Sequence, residues 1–171
     1  MLRTLSIRDF VIVDSLELDF RSGFTVLTGE TGAGKSILVD ALALTLGERG
    51  DAAVVRAGCE RADISAEFDI QALPELARWL HTAELEGDPG LMLLRRVVDK
   101  NGRSRAFVNG RPATQSQLRE AGEWLVEIHG QHAHQSLLKP DAQRTLLDAH
   151  AGLAPLAAQV AAAYRQWQKL A

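Results

Sequence analysis

The sequence predicts an α/β fold in which a mixed sheet, with an antiparallel part, packs against helices. Residues 62–70 alternate between apolar and polar side chains, as half-buried strands do. Residues 91–98 and 105–108 are joined by a loop that contains Asn-Gly, a pattern typical of a β-hairpin. The leucines at positions 38, 42 and 46 share one face of a helix predicted at residues 35–46.

The N-terminal elements are predicted from the same patterns. Period-two alternation indicates strands at residues 5–8 and 15–20, and the mostly apolar run at 24–28 indicates a buried strand. Gly47 stands where the C-terminal cap of the helix at 35–46 belongs. The alternation at 62–70 is so regular that it predicts an edge-type strand.

Further short elements are predicted in the second half of the chain. Pro74 suits the first turn of a helix that ends near residue 83. A second Asn-Gly turn follows the hairpin, and Thr114 and Gln117 then have the spacing of a capping box at the start of a short helix. Residues 124–128 are predicted to form one more strand.

The C-terminal residues have the spacing of a heptad seam. Apolar side chains recur at alternating steps of three and four residues, at Leu153, Leu156, Val160, Ala163, Trp167 and Leu170. Two interpretations stay open on spacing alone: the start of a coiled coil, or an amphipathic helix that packs on its own domain. The pattern is still running at Ala171, so we expect the helix to continue in the complete protein.

Composition limits where the protein works and what it contacts. The net charge of −3 means that the fold as a whole does not attract nucleic acid, so any DNA contact must come from a local patch. Cys59 is the only cysteine, which excludes an internal disulfide and favours a reducing cytoplasm. No signal peptide is expected at the start, and no apolar run approaches the roughly 18 residues of a membrane helix; no membrane partner is expected.

Residues 29–36 match the phosphate-loop pattern G-x-x-x-x-G-K-[ST] between a predicted strand and a predicted helix. The predicted nucleotide-binding residues are Gly29, Glu30, Thr31, Gly32, Ala33, Gly34, Lys35 and Ser36. Glycines let phosphate oxygens approach bare backbone amides, and the following helix directs its positive end at the anion. Lys35 supplies a cation for the β- and γ-phosphates, and Ser36 offers a hydroxyl to Mg²⁺.

Several segments resemble the N-terminal head of the RecN family of SMC-like proteins, and the resemblance covers essentially the whole chain. The phosphate loop alone indicates a superfamily, whereas residues 129–138 narrow the resemblance to RecN. The segments that carry it are Leu5-x-Ile7-x-x-Phe10, residues 29–38, Leu46-Gly47-x-Arg49, Val55-Arg56-x-Gly58, residues 62–68, residues 103–110 and residues 127–138.

This resemblance implies the N-terminal lobe of an ABC/SMC-type P-loop ATPase head at residues 1–150 and the start of a coiled coil at 151–171. It implies an ATPase that uses ATP and Mg²⁺ in DNA double-strand break repair and recombination, in the cytoplasm and at the nucleoid. The implied partners are the DNA backbone, the C-terminal head lobe of the same protein, and a second head that makes a homodimer by head engagement.

The resemblance also implies roles for single residues. Gln131 matches the glutamine-loop residue, which positions the attacking water or Mg²⁺, a task that a neutral carboxamide suits. Lys35 is the second residue implied in catalysis. Arg56 corresponds to an arginine that contacts either nucleotide or DNA in SMC-type heads, and a solvated surface arginine is the open alternative.

Two parts of such an ATPase are not found in the sequence. There is no Ser-Gly-Gly signature and no apolar run that ends in Asp-Glu; residues 125–127 and 145–148 are poor matches. In the family both parts follow the coiled coil in the C-terminal lobe. We therefore expect the 171-residue chain alone to be nearly inactive.

A basic cluster at residues 95–111 is the leading candidate for contact with the DNA backbone. Its members are Arg95, Arg96, Lys100, Arg103, Arg105 and Arg111, against one acid, Asp99. A solvated hairpin is the alternative. A metal site at His129, His132 and His134 is not favoured, because no cysteine or carboxylate completes the set nearby.

Two other functions compete with the repair ATPase. An ABC-transporter ATPase usually offers an N-terminal aromatic ring to the adenine, whereas Phe10, Phe20 and Phe24 occupy strand-like apolar positions here. A nucleotide-gated structural DNA clamp with little hydrolysis is the other alternative.

Overall fold

The computed structural model describes residues 1–28, 34–126, 128 and 140–168, without the side chains of 140–142, 145 and 146. The chain divides into two compact units, residues 1–127 and 128–171. The predicted domain boundary between residues 150 and 151 concerns the family head and stays a prediction. No helix among the described residues is long and apolar enough to span a bilayer.

The first unit is built on a six-stranded sheet whose described pairings are all antiparallel. Its strands, in the spatial order β2-β1-β3-β4-β5-β6, are β1 Leu2–Phe10, β2 Val13–Asp19, β3 Arg61–Asp69, β4 Leu91–Asp99, β5 Ser104–Val108 and β6 Arg111–Ala113. Its helices are α1 Lys35–Thr45, α2 Pro74–Thr82 and α3 Gln115–Leu125, with a 3-10 turn at Ala52–Val54. The predicted α/β fold and its antiparallel part are confirmed.

Strand β3 lies in the middle of the sheet, between β1 and β4, so its predicted edge position is wrong. Ile64 of β3 faces Ile7 of β1 on one side and Arg96 of β4 on the other. The alternation predicts which face of β3 is buried and not where the strand lies in the sheet. The apolar residues Ile64 and Phe68 are on that face, and both are fully buried.

The core lies between the inner face of the sheet and the helices. Ile7, Ile64 and Leu94 come from neighbouring strands and are fully buried. Leu76 of α2 and Leu118 of α3 close the same cluster from the helical side. Burial of each such side chain contributes about 1.5–3 kcal/mol, so this cluster is the main source of stability of the first unit.

Gly47 ends the first helix and joins it to α3. Its φ of +93° is left-handed, as predicted for a C-terminal cap glycine. Its carbonyl oxygen accepts hydrogen bonds from Nε2 of Gln115 at 3.0 Å and from Nη2 of Arg119 at 3.3 Å. A Cβ at this position would lie 2.7 Å from the backbone nitrogen of Arg119, so only glycine fits without a shift of α3.

The capping box at the start of α3 is confirmed. The Thr114 hydroxyl accepts from the Gln117 amide at 3.1 Å, and the Gln117 side chain accepts from the Thr114 amide at 2.8 Å. The predicted helix at 74–83 and the hairpin of β4 and β5 are confirmed as well.

Two predicted strands are wrong. Residues 24–28 do not form a strand, and their side chains are exposed. No strand among the described residues lies beside them to provide backbone hydrogen bonds. Trp124 and Leu125 belong to the last turn of α3, since the helical spacing that begins at the capping box continues through them. Residue 127 lies outside the described residues.

The described residues of the second unit form two helices, α4 Pro140–His150 and α5 Ala154–Gln168. They are joined by a tight turn in which Gly152 has a φ of +68° and the Leu153 amide donates to the Asp148 carbonyl oxygen at 2.8 Å. The predicted C-terminal helix is confirmed. Its apolar residues Leu156, Val160 and Trp167 are exposed; Leu170 lies outside the described residues, and the coiled coil stays a prediction.

Candidate nucleotide-binding site and basic hairpin

The described part of the phosphate loop is its last three residues, Gly34, Lys35 and Ser36. Helix α1 begins at Lys35, and its N-cap Gly34 has a φ of +90° and makes no side-chain capping bond. The first-turn amides of a helix have no intrahelical acceptor, and here no N-cap side chain occupies them. The helix start therefore has the donors and the positive dipole end that bind an anion.

Side chains at this helix start suit a magnesium nucleotide. Lys35 is half-buried and Ser36 is exposed on the first turn. A serine hydroxyl is a hard oxygen ligand of the kind that Mg²⁺ takes, and an ammonium is a point charge for phosphate. The residues present fit both groups. The other predicted loop residues, Gly29, Glu30, Thr31, Gly32 and Ala33, lie outside the described residues.

The segment before the loop exposes a row of apolar side chains. Phe24 is 106% exposed and Val26 is 79% exposed, and Leu27 is also exposed. Exposed apolar side chains in a contiguous run mark a surface that another element covers. The described residues of the chain provide no such cover.

Arg56 lies next to the turn between β1 and β2. Its Nη1 atom donates to Oδ1 of Asp14 at 2.9 Å, and its backbone amide donates to the Asp9 carbonyl oxygen at 2.9 Å. The Cys59 thiol donates to Oδ1 of Asp9 at 3.1 Å, and this hydrogen bond raises the pKa of Cys59. A raised pKa disfavours the thiolate, so this cysteine is not an activated nucleophile.

The structure divides the predicted basic cluster instead of presenting it on one surface. The Nε atom of Arg95 donates to Oδ1 of Asp63 at 2.8 Å, and the guanidinium lies 5.8 Å from the centre of the Phe107 ring. The hydrogen bond to Asp63 raises the pKa of Arg95. Lys100 pairs with Glu60 at 2.7 Å. Two of the six cations are therefore already paired with acids.

The remaining four cations differ in position. Arg111 donates to the Glu84 carbonyl oxygen at 2.5 Å. Arg96 points to the inner face of the sheet and is only 4% exposed. Arg103 and Arg105 are exposed and are the members of the cluster best placed to meet a ligand from solvent.

Several predicted site residues fall outside the described residues: Gln131, His129, His132 and His134. Within the described ranges, no group of three His, Cys, Asp or Glu side chains is arranged to hold a metal. Asp148 lies on α4 and not at the end of a strand, so it does not have the context of a carboxylate that follows a buried strand.

Sequence reasoning missed two features of this region. Gln115 and Arg119 hold the end of α1 through Gly47, and no local pattern predicts a contact between residues so far apart. The burial of Arg96 did have a signal: Leu94, Arg96 and Val98 share one side of an alternating strand. The alternation of the side chains along β4 could therefore have predicted the burial of Arg96.

Comparison with known proteins agrees with the resemblance. The model of the AAA domain family matches residues 4–149. The DNA repair protein RecN of Vibrio cholerae is 48% identical over 170 residues, which cover 99% of this chain and 30% of that protein. RecN of Xylella fastidiosa has the same identity and coverage. The chain thus spans about a third of the length of the curated relatives it matches.

The fold is also found among solved structures. The Smc head domain with an extended coiled coil from Pyrococcus furiosus superposes with a TM-score of 0.65 at 22% identity, covering 98% of this chain and 46% of that chain. An identity this low supports the fold alone. The predicted resemblance is confirmed: the chain belongs to the AAA domain family and is related over almost its whole length to the RecN proteins.

Proposed function

We propose that this chain is the ATP-binding part of an SMC-like ATPase that acts in DNA double-strand break repair and recombination. The observation that carries the proposal is the start of α1, where the phosphate-loop residues Gly34, Lys35 and Ser36 open a helix whose first amides have no side-chain cap. The relation to the RecN proteins supports the repair role. ATP binding would drive two heads together and couple their engagement to DNA holding.

The chain's own residues then divide the work at the phosphates. Lys35 and the first amides of α1 bind the β- and γ-phosphate oxygens, and Ser36 holds Mg²⁺. The metal, when bound, neutralises charge between these phosphates. Gln131 orients the attacking water, and Arg56 contacts nucleotide or DNA. The signature motif and the catalytic base would come from a C-terminal lobe and a second head, so the chain alone turns over little ATP.

We further propose that the C-terminal lobe covers residues 24–28. The exposed side chains of Phe24, Val26 and Leu27 support this assignment, because they precede the phosphate loop and have no cover in the described first unit. The same arrangement would assign residues 1–150 to the head lobe and 151–171 to the outgoing strand of a coiled coil. The exposed apolar residues of α5 are consistent with a partner helix.

Nucleotide binding and turnover are tested by two substitutions in the complete protein. Lys35→Ala should weaken ATP binding by about ten- to hundredfold in calorimetry, as expected for the loss of a charge-assisted contact. Gln131→Ala should leave binding unchanged and slow steady-state hydrolysis. Lys100→Ala is the control, because it removes an exposed lysine that is paired with Glu60. Strong hydrolysis by the 171-residue chain alone would contradict the proposal that the C-terminal lobe and a second head supply part of the catalytic site.

DNA contact is tested at Arg103 and Arg105. Reversing both to Glu in the complete protein should weaken duplex binding and lower the slope of log affinity against log salt by about 0.9 for each lost phosphate contact. The control reverses Arg21 and Arg78, which are exposed outside the hairpin, so the change in net charge is equal. If both double variants weaken DNA binding equally, Arg103 and Arg105 do not contact DNA and the hairpin is only a solvated surface. DNA-stimulated turnover separates an ATPase from a structural clamp.

A further inference from the structure

Arg96 is a buried cation whose Nε atom has no hydrogen-bond partner among the described residues. Its side chain projects from β4 between Ile64 of β3 and Ala106 of β5, both of which are buried and apolar. The Nε atom has no hydrogen-bond partner, and no ion pair involves Arg96 among the described residues. Burial lowers the pKa of this guanidinium. A buried unpaired charge is costly, so its retention needs an explanation.

A cavity of about 530 Å³ is lined in part by Arg96. It is lined on the sheet side by Arg96, Ser104 and Arg105, and on the other side by residues 112–115, where α3 begins. No carboxylate is among the residues that line it. The buried Arg96 and the neighbouring Ser104 lie on the same face of the sheet, whereas Arg105 pairs with Val97 and projects from the opposite face. The cavity therefore combines one buried guanidinium group and a hydroxyl, and no acid among the residues that line it offsets the charge.

The N-terminus of α3 adds donors to the same cavity. The capping box engages the amides of Thr114 and Gln117. The amides of Gln115 and Ser116, which lie between them, have no intrahelical acceptor because they belong to the first turn. The positive end of the helix dipole is directed the same way.

We propose that this cavity is a binding site for a phosphate group, held by Arg96, Ser104 and the N-terminus of α3. The site is separate from the phosphate loop, so it can fail without affecting the proposed ATPase. A phosphate satisfies the donors better than a single carboxylate does, because its oxygens can meet a guanidinium group, a hydroxyl and a helix end at once. The phosphate comes either from a DNA backbone or from a free anion.

The test titrates inorganic phosphate into the 171-residue chain in a Lys35→Ala background, which weakens binding at the phosphate loop. Calorimetry should show binding that falls by about ten- to hundredfold with Arg96→Met. Arg78→Met is the control, because Arg78 is exposed and does not line the cavity. It should bind phosphate as the parent does. A parallel arm measures a short labelled DNA duplex with the same variants.

Weaker duplex binding by Arg96→Met would identify the DNA backbone as the source, and unchanged duplex binding with lost phosphate binding would identify a free anion. Absence of phosphate binding, or phosphate binding that survives Arg96→Met, would overturn the site. In phosphate-free buffer Arg96→Met should melt no lower than the parent, since it removes an unpaired buried charge. A lower melting temperature would also overturn the proposal, because it would reveal a partner inside the fold.

Discussion

Two apolar segments of the first unit, β3 and residues 24–28, have opposite environments. Phe68 of β3 is fully buried, whereas Phe24 is fully exposed. Strand β3 has a paired strand on each side and helices over one face, while residues 24–28 pair with no described strand. Apolar composition therefore predicts which segments need burial. Whether burial occurs depends on partner elements, which the local pattern does not contain.

The largest expected difference lies between Phe68→Ala and Phe24→Ala in the 171-residue chain. The first leaves a cavity in a closed core and should lower the free energy of unfolding by about 3–5 kcal/mol. The second removes an exposed ring and should change it by less than about 0.5 kcal/mol. Urea denaturation of both variants measures the difference. In the complete protein Phe24→Ala should become clearly destabilising, and an unchanged stability there would contradict cover by a C-terminal lobe.

A smaller loss of stability is expected from a substitution at Gly47, where the backbone at the end of α1 contacts α3. Gly47→Ala adds a Cβ 2.7 Å from the Arg119 nitrogen at a φ of +93°. Left-handed strain and overpacking together should cost on the order of 2–4 kcal/mol. Gly110→Ala is the matched control, because its φ of +78° is similar and nothing lies within 4 Å of an added Cβ. Equal losses of stability would show that backbone conformation alone matters at Gly47.

The smallest predicted effect concerns the capping box of α3. Thr114→Ala removes the acceptor of the Gln117 amide and should lower the free energy of unfolding by about 1 kcal/mol. Ser116→Ala, two residues further along the same exposed turn, should change it by no more than about 0.5 kcal/mol. Thermal denaturation of the two variants distinguishes the cap from a general effect of alanine. A larger loss from Ser116→Ala would contradict the assigned cap.

Local chemistry explains what could be predicted of the fold. Asn-Gly turns, the glycine after α1 and the Thr-x-x-Gln spacing each specify backbone geometry within a few residues, and all three were found where predicted. The central position of β3 depends on pairing with β1, which lies far away in sequence. Alternation gives the face that a strand buries but not the number of its neighbours.

The candidate site likewise has a part that the local sequence predicts and a part that depends on distant residues. The motif identifies Lys35 and Ser36 because phosphate chemistry constrains neighbouring residues. The basic cluster was harder to judge, because charge density along a sequence does not show pairing. Arg95 meets Asp63 from the adjacent strand, and Lys100 meets Glu60. Only the register of β3 against β4 brings these acids into contact with the hairpin.

The pairing of β1 with β3 also sets an order of events in folding. Leu5 lies opposite Ala66, whereas Val98 and Ser104 face each other across a short turn. A hairpin closes in about 1–10 μs, but non-local strands must first overcome the loop-closure entropy of the chain between them. We expect the β4–β5 hairpin to form early. The pairing of β1 in the β1–β2 hairpin with β3 would then limit the rate at which the whole sheet forms.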